Sequence, residues 1–287
     1  MDKIKYFLQF IIILILFFLF KLLGLKYSTR FSGNLMTILG PMFRSNKIII
    51  SNLTKAFPKL SLQEKKNLSK KMWFNYGRIL AEYMYIKYFR EKEKFSNLIT
   101  IENQNILEKI KKESKPVIFI SGHFNNFELM AMQIDKAGID LTTIYRPLNN
   151  IFLNPLMERI RKKYICKKQI KKGIAGTKEL LQNFKNGSSI ALMIDQRVTE
   201  GVMCDFFGQK ARTTTIPAQF VKKFNAKIVP VYIQRFDNNK FKLEFDSVIE
   251  FKSDETLDAI TLKLNKILEE MILKNPDQWI WTHNRWK

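Results

Sequence analysis

The sequence predicts an α/β protein, a mixed sheet flanked by helices, carried behind an N-terminal membrane-anchoring helix. Three observations predict this. From Pro116 onward, short runs rich in β-branched and aromatic residues alternate with helical patterns, the order that builds a sheet with helices on its faces. The chain has 287 residues, 46% hydrophobic and 13% aromatic, enough to bury a sizeable core and far from the composition of a disordered protein. At the N-terminus, Tyr6 to Phe20 is apolar except for Gln9, and Leu22-Leu23-Gly24-Leu25 extends the run past Lys21.

The apolar run comes first. Its core would be about 22 Å long as a helix, against a hydrocarbon layer of about 30 Å. Extended to Leu25, with Lys21 snorkelling, it reaches the length an anchor needs. No small-x-small cleavage site follows; Lys26, Tyr27 and Arg30 do, so the segment reads as an uncleaved anchor. Basic residues after the run exceed those before it, which places the body in the cytoplasm if the helix spans. The sequence leaves open whether the helix crosses the bilayer or lies in it. The expected organisation is an anchor over 1–27 and one domain over 28–287, helical in 28–115 and α/β in 116–287.

Residues 28 to 95 read as helical, with Pro41 and Pro58 as the main breakers. Ser61-Leu62-Gln63-Glu64 has the form of a capping box and should open a helix through Trp73 and Tyr76. The aromatic segment from Trp73 to Phe89 reads as packing. Strands are expected at Val117–Ser121, Leu141–Tyr145, Ser189–Ile194, Ile228–Gln234 and Phe241–Phe245. Helices are expected near 127–137, 150–164, 175–186, 215–225 and 255–274.

Lys plus Arg number 49 against 26 Asp plus Glu, a net charge of +23, which attracts polyanions: nucleic acid, an anionic membrane surface, phosphorylated substrates or an acidic carrier protein. No nucleic-acid motif accompanies the charge, which argues against that class of partner. Cys166 and Cys204, without a CxxC or a histidine neighbour, give neither a metal signature nor a disulfide framework. No G-x-S-x-G elbow points to a serine hydrolase.

The chemistry concentrates at Ser121-Gly122-His123-Phe124-Asn125-Asn126-Phe127-Glu128, directly after an apolar run. An imidazole acting as general base needs a carboxylate on its other ring nitrogen. Residues five apart on one helix point about 140° away from each other, so the pair requires His123 in a strand-to-helix loop and Glu128 in the first helical turn. Asn125 to Glu128 can equally be read as a capping box, a purely structural arrangement. Tyr145-Arg146-Pro147 and Asp195-Gln196-Arg197 end two further strands, so Arg146, Asp195 and Arg197 should reach the same sheet edge as His123, where α/β proteins bind ligands. Phe206-Phe207-Gly208 and Ala211-Arg212-Thr213-Thr214-Thr215-Ile216-Pro217-Ala218 read as a loop entering a helix, with Arg212, Thr213 and backbone N–H groups suited to an anion.

Taken in order, HFNNFE, YRP, IDQR, FFG…ARTTTIPA and the ending from Asn275-Pro276-Asp277-Gln278-Trp279 to His283-Asn284-Arg285-Trp286-Lys287 resemble the lipid A biosynthesis acyltransferases of the lauroyl/myristoyl type, in the lysophospholipid acyltransferase superfamily. The likeness covers almost the whole length. It departs at Asn125-Asn126-Phe127, where relatives usually have Gly-Asn-Trp, at Arg197 for a common Asp, and at Ile216 for a frequent Gly.

The resemblance implies a glycerol-3-phosphate acyltransferase-like fold at the cytoplasmic face of a bacterial inner membrane. It implies O-acyl transfer from acyl carrier protein, or acyl-CoA, to a hydroxyl of a lipid A precursor, without metal, cofactor or covalent intermediate. Acylation of another polar lipid is the alternative. His123 and Glu128 would be the catalytic dyad, with Arg146, Asp195, Arg197, Arg212 and Thr213 binding substrate. The basic run that includes Arg161, Lys162, Lys163, Lys167 and Lys168 would dock the carrier protein or phosphates. His283, among Trp279, Trp281 and Trp286, reads as part of a packed tail with its imidazole hydrogen-bonded, and the indoles also suit a membrane interface.

Overall fold

The computed structural model describes residues 2–237 and 239–287. Helix α1 (Asp2–Phe43) carries the apolar run and is broken at Gly24, whose φ of 72° and ψ of 165° divide it into two helical segments. It is long and apolar enough to cross a membrane. Helices α2 (Asn46–Ala56) and α3 (Leu62–Glu82) follow. The capping box at Ser61 is formed: its hydroxyl accepts the Glu64 N–H and the Glu64 carboxylate accepts the Ser61 N–H.

The second segment of α1 packs closely on α3 because glycines line the crossing. A Cβ on Gly77 would lie 2.3 Å from the Ser32 carbonyl oxygen, and one on Gly40 2.3 Å from the Trp73 ring. The Ser32 hydroxyl also donates to the Gly77 carbonyl at 2.7 Å. Gly77→Val should therefore part the helices and cost about 1–3 kcal/mol, read as a lower chemical-denaturation midpoint.

After a 3₁₀ turn come α4 (Ile86–Glu91), α5 (Glu93–Ser96), β1 (Ile99–Glu102), α6 (Gln104–Glu113), β2 (Val117–Ser121), α7 (Glu128–Lys136) and β3 (Leu141–Tyr145). Then follow α8 (Leu153–Tyr164), β4 (Lys168–Lys171), α9 (Ile174–Lys185), β5 (Ser189–Met193), β6 (Val202–Phe206), β7 (Gln209–Thr213) and α10 (Ile216–Phe224). The body closes with β8 (Lys227–Phe236), β9 (Lys240–Phe245), α11 (Leu257–Lys274) and a tail containing a second 3₁₀ turn.

Seven strands form one sheet in the order β1-β9-β8-β2-β5-β3-β4. Neighbours are parallel except the antiparallel pair β8–β9, so the sheet is mixed, as expected. Every residue of the central β2 is buried, because helices cover both faces; that is why it reads as an unbroken apolar run. Strands β2, β3 and β5 run in one direction, so their carboxyl ends share an edge. Ser121 pairs with Met193 across β2–β5, which puts the chain segments carrying His123 and Asp195 side by side beyond it.

Two differences from the sequence reading have physical causes. The segment Phe206 to Thr213 is a hairpin rather than a loop: Phe207 and Gly208, at φ 53° and 69°, make a two-residue turn between β6 and β7. The Glu269 carboxylate holds this turn by accepting the Phe207 N–H at 2.8 Å. The C-terminal indoles of Trp279, Trp281 and Trp286 are buried within the core, so they seat the tail in the protein rather than on a bilayer.

Candidate active site

His123 leaves β2 in a loop that is held from three sides. Phe124 bridges to Trp279 of the tail, and the Asn125 N–H donates to the Gln278 carbonyl at 3.0 Å. Asn125 turns the chain through a left-handed conformation, φ 42°, that asparagine tolerates better than most side chains. Its buried side chain donates to Gln278 and to the Ile233 carbonyl. Asn126 donates to Glu82, whose two carboxylate oxygens both accept from Arg235 Nη2, at 2.6 and 2.8 Å. This ion pair is fully buried; Arg235 also reaches Asn75.

No capping box forms here. Phe127 precedes the helix without a side-chain cap, and Glu128 is the first residue of α7. Its carboxylate meets the Arg161 guanidinium at 2.7 Å and accepts a hydrogen bond from the Tyr83 hydroxyl, while Arg161 also donates to the Tyr83 oxygen at 3.1 Å. Burial and the adjacent Glu128 hold the Tyr83 phenol protonated, well above the usual tyrosine range.

The carboxylate on His123 is that of Asp195, not Glu128. Nδ1 lies 2.7 Å from Asp195 Oδ1, and the His123 backbone N–H donates to Oδ2 at 2.8 Å. The Trp279 indole N–H donates to the same Oδ2 at 2.8 Å. Asp195, 2% exposed, is thus consumed by the protein and is not a substrate contact. Glu128 acts on the imidazole through space, as one of the charges that favour its protonated form. Burial, the largest single influence, favours neutral imidazole, but the charge and hydrogen bond of Asp195 together with the charge of Glu128 outweigh it and hold the His123 pKa above its ordinary value. In the same way burial raises and His123 lowers the Asp195 carboxyl, with a net depression.

These contacts leave His123 Nε2 as the available nitrogen. The side chain is 20% exposed, its ring packed edge-on to Phe127, with a long 3.5 Å contact from Nε2 to the Gln196 amide. A neutral imidazole with Nδ1–H held by a carboxylate and Nε2 free is the tautomer a general base requires.

The other expected site residues divide. Arg146 follows β3 at the same edge and is exposed. Arg197 lies beside the site, where its backbone N–H donates to His283 Nε2 at 2.9 Å; this bond and burial favour neutral His283. The tail reading of His283 agrees with that contact. Arg212 donates to the Thr199 carbonyl. Thr213 does not face a ligand: it is buried, and its hydroxyl accepts from the buried Arg285 at 2.7 Å and donates to Ala211. Arg161 belongs to the Glu128 cluster rather than to a docking surface, and Lys168 is tied to Asp140 at 2.6 Å and Ser188 at 2.8 Å. Lys162, Lys163 and Lys167 remain exposed. Sequence reasoning gave no site role to Tyr83, Trp279, Glu82 or Arg235; Trp279 stood out only as part of the C-terminal motif, and each of the four meets the site through contacts far apart in the chain. Among the described residues no cluster of His, Cys, Asp and Glu is arranged to hold a metal ion.

A parallel-centred sheet carries a carboxylate-held histidine at its carboxyl edge, behind an N-terminal helix long and apolar enough to anchor the chain in a membrane. The comparison with known proteins makes this specific. The family model of bacterial lipid A biosynthesis acyltransferases matches residues 1–287, so the chain belongs to that family and is an acyltransferase. It is 24% identical over 259 residues to the lipid A biosynthesis lauroyltransferase of Escherichia coli K12, covering 86% of this chain and 80% of that one. It is 23% identical over 252 residues to the palmitoleoyltransferase of the same organism, covering 85% and 79%. A lipid A biosynthesis acyltransferase of Haemophilus influenzae is 21% identical over 240 residues, covering 80% and 72%.

Proposed function

We propose that this acyltransferase moves a fatty acyl group from the thioester of acyl carrier protein to a hydroxyl of a lipid A precursor, with His123 as general base. The observation that carries the reading is His123 itself, its Nδ1 fixed by Asp195 and its Nε2 open at the sheet edge. Nε2 takes the proton of the acceptor hydroxyl as the oxygen attacks the thioester carbonyl. The tetrahedral intermediate collapses, the C–S bond breaks, and the imidazolium returns its proton to the departing thiolate. Asp195 holds the tautomer and stabilises the imidazolium. Glu128, fixed by Arg161 and Tyr83, adds negative charge beside the ring without touching it.

The N–H groups of His123, Phe124 and Asn125 are committed to Asp195, Gly122 and Gln278, which takes them out of contention as oxyanion donors. Arg146, exposed at the same edge, supports a role there or at a substrate phosphate. Lys162, Lys163 and Lys167 form the basic face left for an acidic carrier protein. The excess of positive charge supports placement against an anionic leaflet, as at the cytoplasmic face of the inner membrane.

The test uses membranes containing the protein, a lipid A precursor, and acyl chains of several lengths on carrier protein or on coenzyme A, read by mass spectrometry. The precursor should gain one acyl group from the carrier-protein donor, and far more slowly with His123→Ala. A gain only on a glycerophospholipid would replace the acceptor, and a gain unaffected by His123→Ala would overturn the mechanism.

The rate should rise with pH through the His123 titration, since only neutral imidazole accepts the proton. Its midpoint should lie above 6.5, the ordinary histidine value, because Asp195 raises it. Asp195→Asn removes that charge, so the residual activity should rise at lower pH than in the wild type. A kcat/KM profile for both proteins checks the sign.

A further inference from the structure

The first segment of α1 does not stand clear of the protein. Its inner face, Tyr6, Phe10, Ile13, Phe17 and Phe20, recurs at the spacing of one helical stripe and is the less exposed side. Near the Gly24 break, Phe17 and Phe20 pack with Ala81, Tyr83 and Met84, and the Tyr85 hydroxyl donates to the Phe20 carbonyl. At the far end the loop between β3 and α8 meets the same helix. Asn150 donates to the Tyr6 carbonyl at 2.8 Å and lies 3.5 Å from the amide oxygen of Gln9, the one polar side chain in the run. Phe152 packs edge-on to Phe7 at 5.5 Å and against Phe10 at 6.2 Å.

Tyr6 and Phe20 are about 21 Å apart along a helix, so the body flanks the segment across most of a bilayer's thickness. The opposite face, Ile4, Leu8, Ile12, Ile15, Phe18 and Leu22, is apolar and bare. The loop adds the exposed Leu148 and Ile151, the latter 51% exposed.

An upright helix would drag this loop to the far leaflet, together with Arg146 and Asn149. Charges and irregular backbone are not tolerated in hydrocarbon at that depth. A helix lying in the interface meets both constraints. Its outer face enters the acyl chains, and the protein covers the side that would otherwise need polar residues. Lys3, Lys5, Lys21 and Lys26 are placed to reach anionic headgroups from either end.

We propose that this segment lies along the membrane surface rather than crossing it, and that Leu148 and Ile151 enter the same leaflet beside it as a second membrane contact. The inference rests on the membrane-acyltransferase reading and deepens it. The loop leads directly from Arg146 at the edge that carries His123, so the site opens at headgroup level and a lipid acceptor need not leave the bilayer.

Single cysteines at Ile12, Ile151 and, as a surface control on α9, Lys178 would carry an environment-sensitive fluorophore; native Cys166 and Cys204 are buried. Reconstituted into anionic vesicles containing spin-labelled lipids, the probes at 12 and 151 should be quenched to a comparable extent and the probe at 178 should not. Lys3→Cys should react with an impermeant maleimide from the same side as Lys178→Cys. Quenching at 12 without quenching at 151, or reaction of Lys3→Cys from the opposite side, would overturn the inference while leaving the anchor intact. No quenching at 12 or 151 would remove the anchor reading as well.

Discussion

His123→Ala should lower the rate of acyl transfer by about 10²- to 10⁴-fold, the usual worth of a positioned general base. The fold should survive, because the side chain is part exposed and Asp195 keeps its bonds from Trp279 and the backbone of residue 123. The variant also separates the two carboxylates. If Asp195 works only through the imidazole, Asp195→Asn should cost activity in the wild type and almost nothing further in the His123→Ala background. Glu128→Gln keeps the shape of its cluster with Arg161 and Tyr83 and removes a charge that touches the ring only through space, so it should cost less than Asp195→Asn. Single-turnover rates for the three single variants and the double variant decide this; equal or larger loss for Glu128→Gln would return Glu128 to direct contact with the base.

The largest effect on stability is expected at Arg235. Its guanidinium and the Glu82 carboxylate are buried against each other, and Asn75, Asn125 and Asn126 depend on them. Burial raises the Glu82 carboxyl and lowers the Arg235 guanidinium, yet the mutual attraction works against both shifts. Arg235→Leu strands Glu82 as an uncompensated buried charge, at a cost of about 3–5 kcal/mol. Removing both charges, as in Glu82→Leu with Arg235→Leu, should recover much of that loss, because the desolvation of two ions disappears with them. Denaturant midpoints of the solubilised proteins test the pair, and equal midpoints for Arg235→Leu and wild type would show the charges to be solvated.

Much of the body is legible in the chain because its signals are local. Val117–Ser121 is buried on both sides and so reads as a continuous apolar run, and Ser61 to Glu64 caps α3 with groups three residues apart. Strands β1 and β4 are not legible. They are four residues long at the two edges of the sheet, partly exposed, and Lys168-Gln169-Ile170-Lys171 carries little β character by itself. The β6–β7 hairpin was hidden because its turn places a phenylalanine, rather than Asn or Asp, at positive φ, held there by Glu269. The basic run after Met157 looks uniform in sequence, yet the fold turns Arg161 inward to Glu128 and leaves Lys162 and Lys163 outside.

The class of fold, the sheet edge at which His123 emerges and the family are all readable from the chain, since apolar runs, strand-end motifs and the C-terminal signature are properties of neighbouring residues. Which carboxylate holds the imidazole is set by packing between distant segments. Glu128 is five residues from His123, but α8 delivers Arg161 and the turn after α3 delivers Tyr83, and together they bind its carboxylate away from Nδ1. Asp195 is 72 residues away, and the β2–β5 register with the Trp279 indole of the tail sets it against the ring. Proximity along the chain fixes which groups can meet; parallel strand register and the placement of counter-charges, both non-local, fix which ones do.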